Sequence, residues 1–347
     1  MRALVTGGAG FIGANLADRL AREGHDVIVF DALARPGVER NLAWLQAAHG
    51  DRIVHVRADV RDSRAVAETV RQAEVVFHLA AQVAVTTSLT DPLEDFEINV
   101  RGALNVLEAA RRRRTPVIFA STNKVYGDLA DVTLELSGDA YRPQDPIIRA
   151  RGINEQRPLD FHTPYGCSKG AADQYVLDYA RSFDLPTCVL RMSCIYGPRQ
   201  MGTEDQGWVA HFLIRALQGE PISIYGDGKQ VRDILNVADA VDAYMAAWRQ
   251  IEQVSGRAFN LGGGPDNAVS LLQLIGVIEE LTRRKVTLSF AEWRAGDQRY
   301  YVSDASAVRR ELRLATPIDW RAGVAGLADW LAAERGVSVQ RWAEAVG

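Results

Sequence analysis

The sequence is poor in cysteine. Its 347 residues hold three, Cys167, Cys188 and Cys194, with no Cys-x-x-Cys pair and no even set to close into disulfides. That excludes a disulfide-stapled secreted scaffold and fits a reducing cytoplasm, the compartment expected for this chain. No apolar run approaches the ~18 residues a membrane span requires, and the first strand begins at Arg2, so no signal peptide is expected. No charge of one sign prevails: 40 Lys+Arg against 44 Asp+Glu leave a net charge of −4. This excludes the electrostatic footprint of a nucleic-acid or membrane-surface partner. The one local exception is the run Arg111–Arg114. It follows Leu104, Val106, Leu107 and Ala110 in a helical rhythm and reads as a last helical turn, where cations suit the dipole. There is no internal repeat, no low-complexity segment and no His/Cys/Asp cluster with metal-ligand spacing, so no metal site is expected.

What is present is an ordinary globular composition, 47% hydrophobic and 24% charged, long enough for one large or two medium domains. Short apolar runs read as strands: Ala3–Val5, Asp26–Phe30, Ile53–Val56, Glu74–Leu79, Pro116–Ala120 and Thr187–Met192. Helical patterns separate them, including one over 94–113 and one over 165–183. Alternating strand and helix predict an α/β fold, a doubly wound parallel sheet of Rossmann type. After about residue 196 the rhythm changes to glycine loops, with helices near 207–218, 237–250 and 270–283 and a tryptophan-rich tail. The expected division is a dinucleotide-binding domain over 1–195, with 229–261 partly returning to it, and a smaller C-terminal lobe from 196–228 and 262–347.

Gly7, Gly10 and Gly13 follow the first strand and open a helix, the context in which a glycine motif binds a pyrophosphate. Phe11 and Ile12, at the helix start, join them in the expected cofactor-binding set. Asp31, at the end of the second strand, suits the ribose hydroxyls of adenosine and repels a 2′-phosphate. It therefore favours NAD over NADP, although Arg35 stands close by, and a turn or cap role is the competing reading of Asp31. Asp59 and Val60 lie at another strand end, suited to adenine, and the Leu79-Ala80-Ala81 backbone suits the pyrophosphate and ribose. Asn99, mid-helix among apolar neighbours, reads as structural, and His78 as a packed histidine.

Tyr165 and Lys169 are four residues apart. On a helix they share a face, and an ammonium beside a phenol is expected to pull the tyrosine pKa down from about 10. With Thr122, which follows the fifth strand, they are the catalytic candidates: Tyr165 to exchange a proton with a sugar alcohol, Lys169 to bond the nicotinamide ribose, Thr122 to orient or relay.

These residues resemble the extended short-chain dehydrogenase/reductase family of nucleotide-sugar epimerases and dehydratases. The likeness covers nearly the whole chain. It rests on Gly7–Gly13, Asp31, His78-Leu79-Ala80-Ala81, Ser121–Gly127, the Tyr165/Lys169 pair, Tyr196-Gly197-Pro198, Tyr225-Gly226-Asp227-Gly228 and Arg232-Asp233. Ser121–Gly127, Pro164–Gly170, Gly202–Val209 and Gly228–Asp233 further resemble the branch that inverts C2 of a CDP-linked sugar. The resemblance implies tightly bound, regenerated NAD, a nucleotide-sugar substrate and a homo-oligomer, a dimer or tetramer. It implies Arg232 and Arg294 as the diphosphate clamp, and Asn123, Lys124, Cys194, Gln206, Trp208 and Gln230 as substrate contacts. For Arg232 and Arg294 the competing role is an ion pair with Asp233 or Asp297. For Cys194 it is a buried inert thiol, and for Trp208 simple aromatic packing. Relatives that act as 4,6-dehydratases usually carry acidic residues just after the Thr122 position. Here Asn123 and Lys124 stand there, which argues for epimerisation. A UDP-sugar 4-epimerase, a 4,6-dehydratase and a catalytically silent dinucleotide sensor remain the alternatives.

Overall fold

Every run of Val, Ile and Phe that reads as a strand in the first half of the chain enters one parallel sheet. In this computed structural model, which describes residues 1–335, the strands are β1 Arg2–Thr6, β2 Asp26–Phe30, β3 Ile53–Val56, β4 Val75–His78, β5 Val117–Thr122, β6 Leu134–Ser137, β7 Ala140–Pro143, β8 Thr187–Met192, β9 Cys194–Tyr196, β10 Ile222–Tyr225, β11 Val231–Asn236, β12 Arg257–Leu261, β13 Ala268–Ser270, β14 Leu288–Ala291 and β15 Tyr300–Tyr301. Seven of them form the main sheet in the order β12-β8-β5-β4-β1-β2-β3, all neighbours parallel. Strand order reverses beside β1, and ligands in such sheets bind outside the strand C-termini at that point.

The side-chain period of two builds both faces. Ala3, Val5, Val27, Val29, Val75 and Phe77 join one core with helices Phe11–Arg22, Val38–His49 and Val237–Arg249. Leu4, Ile28, Val76, Val117 and Phe119 join the other, with helices Ser63–Val70, Gly102–Arg111 and Thr163–Phe183. A third core gathers helices Trp208–Gln218, Leu271–Thr282 and Trp320–Arg335 over Ile222, Ile224 and Ile234. Smaller sheets pair β10 with β14 and place β11 against β9, β13 and β15.

Three expectations need correction. The helix over 94–113 is three pieces: Pro92–Phe96, a wide i→i+5 turn Glu97–Arg101, and Gly102–Arg111. The wide turn accommodates the inward-facing Asn99, whose amide bonds chain outside the helix. Only Arg111 of the arginine run is helical; the turn closes at Arg114, whose φ is 52°. Residues 134–143, to which the sequence assigns no element, form the β6–β7 hairpin. The tail beyond Arg335, including Trp342, lies outside the described residues. No described helix is long and apolar enough to cross a membrane.

Candidate active site

The cleft opens at the C-terminal edge of β1, where the chain must turn sharply into a helix. Gly7 adopts φ 68°, and a Cβ there would sit 2.8 Å from the Ala80 backbone nitrogen. A Cβ on Gly13 would run into the Gly7 carbonyl oxygen and come within 2.8 Å of Gly8 Cα, so the helix rests directly on the loop. At Gly10 an added Cβ would meet only Gly7 O, at 3.1 Å; its outer side is open. The helix Phe11–Arg22 has no side-chain cap and no acidic residue in its first turn. The Phe11 and Ile12 end therefore presents free N–H groups and the positive pole of the helix, a fit for a pyrophosphate.

Asp31 stands beside this cradle. Its Oδ2 accepts from Ala9 N at 3.0 Å and its Oδ1 from Leu33 N at 2.9 Å, so it braces the glycine loop and keeps a second lone pair on each oxygen for ribose hydroxyls. Arg35 is exposed at the rim. Asp59 is more committed than the sequence suggests: Arg61 grips it in a fork, Nε at 2.9 Å and Nη2 at 2.7 Å, which holds its carboxyl below the ordinary range. The Val60 carbonyl accepts from Asn105 Nδ2. Leu79 N and Ala80 N donate to Thr6, to its carbonyl and its hydroxyl. That hydroxyl also bonds His78 Nδ1 at 2.7 Å, and burial, then the charge of Lys169, pushes the His78 ring down to about 3. Asn99 bonds both N and O of Gln82, fixing the loop after Ala80 and Ala81.

The helix Thr163–Phe183 carries the catalytic candidates. Tyr165 N donates to Ser88 Oγ at 3.1 Å, which anchors its start. Tyr165 and Lys169 are both buried, yet the ammonium does not act as expected. Lys169 Nζ donates to Ala120 O at 2.6 Å and lies 4.3 Å from the centre of the Phe119 ring. Burial pushes it down to about 8. Burial also pushes the Tyr165 phenol up to about 12, against a hydrogen bond with Thr122 that lowers it. Adjacent Cβ atoms do not bring the two heads together; the long lysine stem carries its charge onto the end of β5.

The substrate end is an ionic lattice. Arg232, buried on β11, meets Asp297 at 2.6 Å. Lys124 Nζ donates to Gly296 O at 3.0 Å and lies 3.8 Å from the same Asp297; burial pushes it down to about 8. Arg294 lies 3.8 Å over the Tyr225 ring and bonds Glu204 O and the Asp205 carboxylate. Asn123 Nδ2 donates to Gln298 at 3.2 Å. Burial pushes the Cys194 thiol up, opposed by the charge of Arg232 and then by hydrogen bonding to Trp208. Gln230 Nε2 donates to Tyr225 O, and its Oε1 is buried without a partner among the described residues. Gln206 closes a small bridge with Thr203.

All the residues singled out above as cofactor, catalytic or substrate candidates line one cleft of about 850 Å³. Sequence reasoning named Asp297 only as a competing ion-pair partner, which it is for Arg232, and did not assign Glu204, Asp205 or the ring of Tyr225 to the cleft. It also missed a cluster away from the cleft: Asp128, Asp160 and His162 approach within 4.8 Å of one another. Chain spacing hid it, and His162 sits within 3.6 Å of both carboxylates.

Comparison with known proteins places this geometry among relatives. The model of the NAD dependent epimerase/dehydratase family matches residues 3–262. The chain is 42% identical to CDP-paratose 2-epimerase of Salmonella typhi, over 95% of this chain and 99% of that protein. Among solved structures, UDP-glucose 4-epimerase of Thermus thermophilus in complex with NAD superposes with a TM-score of 0.82 at 30% identity, covering 97% of this chain and all of that one. UDP-glucuronic acid 4-epimerase of Bacillus cereus, in complex with UDP-glucuronic acid and NAD, also gives 0.82, at 26% identity over 96% of this chain and 100% of that one.

Proposed function

This chain belongs to the NAD dependent epimerase/dehydratase family, and from that premise we propose that it inverts C2 of a CDP-linked sugar, CDP-paratose to CDP-tyvelose, through a transient 2-keto sugar. What carries this reading is the 42% identity to a CDP-paratose 2-epimerase along 95% of the chain. The chemistry beside Thr122 supports it. A 4,6-dehydratase must also remove a carbon-bound proton and protonate a leaving hydroxyl. Asn123, at a position where such relatives usually carry an acid, is an amide and cannot act as a carboxylic acid.

In the proposed cycle Tyr165 takes the proton from the C2 hydroxyl, with the Thr122 hydroxyl bonded to it, and later returns it to the same oxygen. Bound NAD supplies the hydride acceptor and, once reduced, the donor, so no net redox change results. The open side of Gly10, the free N–H groups of Phe11 and Ile12 and the lone pairs of Asp31 would hold it, and Lys169 would bond its ribose. Between the two steps the sugar must turn over while its nucleotide stays fixed. Arg232 and Arg294 would grip the diphosphate, releasing Asp297 and Asp205, and Gln230 Oε1 would accept from the base. We place this enzyme in the cytoplasm as a homo-oligomer with retained NAD.

The test is incubation of the purified protein, without added cofactor, with CDP-paratose, CDP-glucose, GDP-mannose and UDP-glucose in deuterated buffer, read by NMR. The expected product is a C2 epimer of CDP-paratose with no deuterium at C2. A 4-epimer or a 4-keto-6-deoxy product overturns the C2 assignment.

A further inference from the structure

The cycle above leaves one buried charge unused. Asp95, on the short helix Pro92–Phe96, is fully buried. Its Oδ2 accepts from the Ser168 hydroxyl and its Oδ1 from Asn99 Nδ2 at 3.2 Å. Both oxygens accept, which is the pattern of a carboxylate. Asn99 Nδ2 also donates to Ser168 Oγ at 3.0 Å, and Ser168 Oγ lies 3.2 Å from Tyr165 O. One network therefore joins the loop at Gln82, the wide helical turn at Asn99 and the helix that carries Tyr165 and Lys169.

A buried carboxylate is retained where a nearby cation compensates it. Among the described residues Asp95 has no ion pair within 4.0 Å, and the other charges around it are engaged. Asp173 holds Arg191 through two contacts of 2.9 Å and accepts from Ser121. Glu97 pairs with Arg101 in solvent, Glu94 faces Arg61, and Asp91 caps its own helix. Lys124 is bonded to Gly296 O, and His78 is neutral. Lys169 is the buried cation whose field Asp95 shares.

We propose that Asp95 is a positioning residue for the Tyr165–Lys169 pair: through Ser168 it fixes the start of their helix, and its buried negative charge bears on the lysine that follows Ser168. This rests on the reading of that pair as the acid/base and cofactor-binding groups, not on the identity of the sugar. The sign follows from the charge. Burial is the larger influence on both groups; against it Lys169 is raised by the charge of Asp173 and then by that of Asp95, and the charge of Asp95 also raises Tyr165. Asp95→Asn keeps the shape and removes the charge, so Lys169 loses its proton at lower pH, by about one unit.

The experiment is the affinity of the full-length protein for NAD by calorimetry from pH 6 to 10, in the wild type, Asp95→Asn and Asp95→Glu. The wild type is expected to weaken through a midpoint near that of Lys169. Asp95→Asn should move the midpoint down by about one unit, and Asp95→Glu should restore it. A midpoint unmoved in Asp95→Asn, or no midpoint in the wild type, overturns the proposal; a packing role alone lowers thermal stability without moving it. Should Asp95→Asn fail to fold, Asp95→Ser removes the same charge with a small polar side chain, and the same downward move is expected; no move overturns the proposal. The two readings fail separately: a wild type that leaves CDP-paratose unchanged while the midpoint follows Asp95 removes the substrate and keeps this inference.

Discussion

Tyr165 shows how burial and function pull on one side chain. A phenol pushed up to about 12 holds its proton at neutral pH, which suits it to return a proton and requires help in taking one. Tyr165→Phe keeps the ring that fills the helix face and removes only the hydroxyl bonded to Thr122. We expect kcat to fall by ~10²–10⁴, the usual worth of one acid/base group, with KM and melting temperature nearly unchanged; steady-state kinetics beside a thermal melt checks it. His78 sets a different pH dependence. Its folded pKa is depressed to about 3 by burial against about 6.5 unfolded. Between these values the unfolded chain binds the extra proton, so stability is complete above about 6.5 and declines as pH falls toward 3. At pH 4.5 the loss from this group is about 2–3 kcal/mol, and a His78→Gln variant should show a shallower acid decline in urea melts. At this scale the sequence is legible where neighbours in the chain are neighbours in space. The Tyr165/Lys169 spacing placed both in the cleft. The partner of Lys169, Ala120 O, comes from a strand 49 residues earlier, and no local pattern names it. Arg232 and Asp233 were weighed as a pair, but consecutive strand residues point to opposite faces. Arg232 meets Asp297, while Asp233 bonds Ser193, Ser303 and Gly264 N.

Among the elements, the helix Phe11–Arg22 is held where the cleft needs it by the absence of a side chain at Gly13. Gly13→Ala drives a methyl into Gly7 O and Gly8 Cα, and neither is a flexible side-chain end that swings away. The helix must lift from the loop, at a cost of about 1–3 kcal/mol. The N–H groups of Phe11 and Ile12 then move off the pyrophosphate position. The expected result is a lower melting temperature together with at least a tenfold loss of NAD affinity by calorimetry; a stable variant with unchanged affinity would show that the loop tolerates the displacement. Glycine spacing made this element readable. The helix over 94–113 was readable only in outline, because its apolar period continues across the wide turn and only the polar pair Asp95 and Asn99, four apart on a buried face, hints at the break. The β6–β7 hairpin carried a signal, Gly138-Asp139 between short alternating runs, and Gly138 indeed has φ 60°.

For the whole molecule, the main sheet is not complete at the point where its strand–helix rhythm stops. β12 pairs with β8 along five residues, from Arg257 against Cys188 to Leu261 against Met192. Helix Val237–Arg249 buries Val237, Ala240, Val241, Tyr244 and Met245 in the core that holds Val5, Leu16, Phe77 and Leu190. The sequence reading expected 229–261 to return in part to the first domain, but the composition of Arg257–Leu261 does not name the strand it joins, and only the long-range pairing decides that. The consequence is that residues 1–195 hold six of the seven strands yet lack the cover of one sheet face. β8 is left as an unpaired apolar edge, a template for aggregation, and Tyr244 no longer meets Phe77 edge-on at 6.5 Å. A fragment of residues 1–195 should therefore show strong binding of a hydrophobic dye, poor amide dispersion and no cooperative urea transition, and it should not retain NAD although every cradle residue is present. The full chain should keep sharp dispersion and bind NAD under the same conditions. A cooperative, NAD-binding fragment would mean that the glycine loop and its helix form a self-sufficient unit. The shared core of helices Phe11–Arg22 and Val237–Arg249 argues against that, since the second helix is part of what holds the first in place.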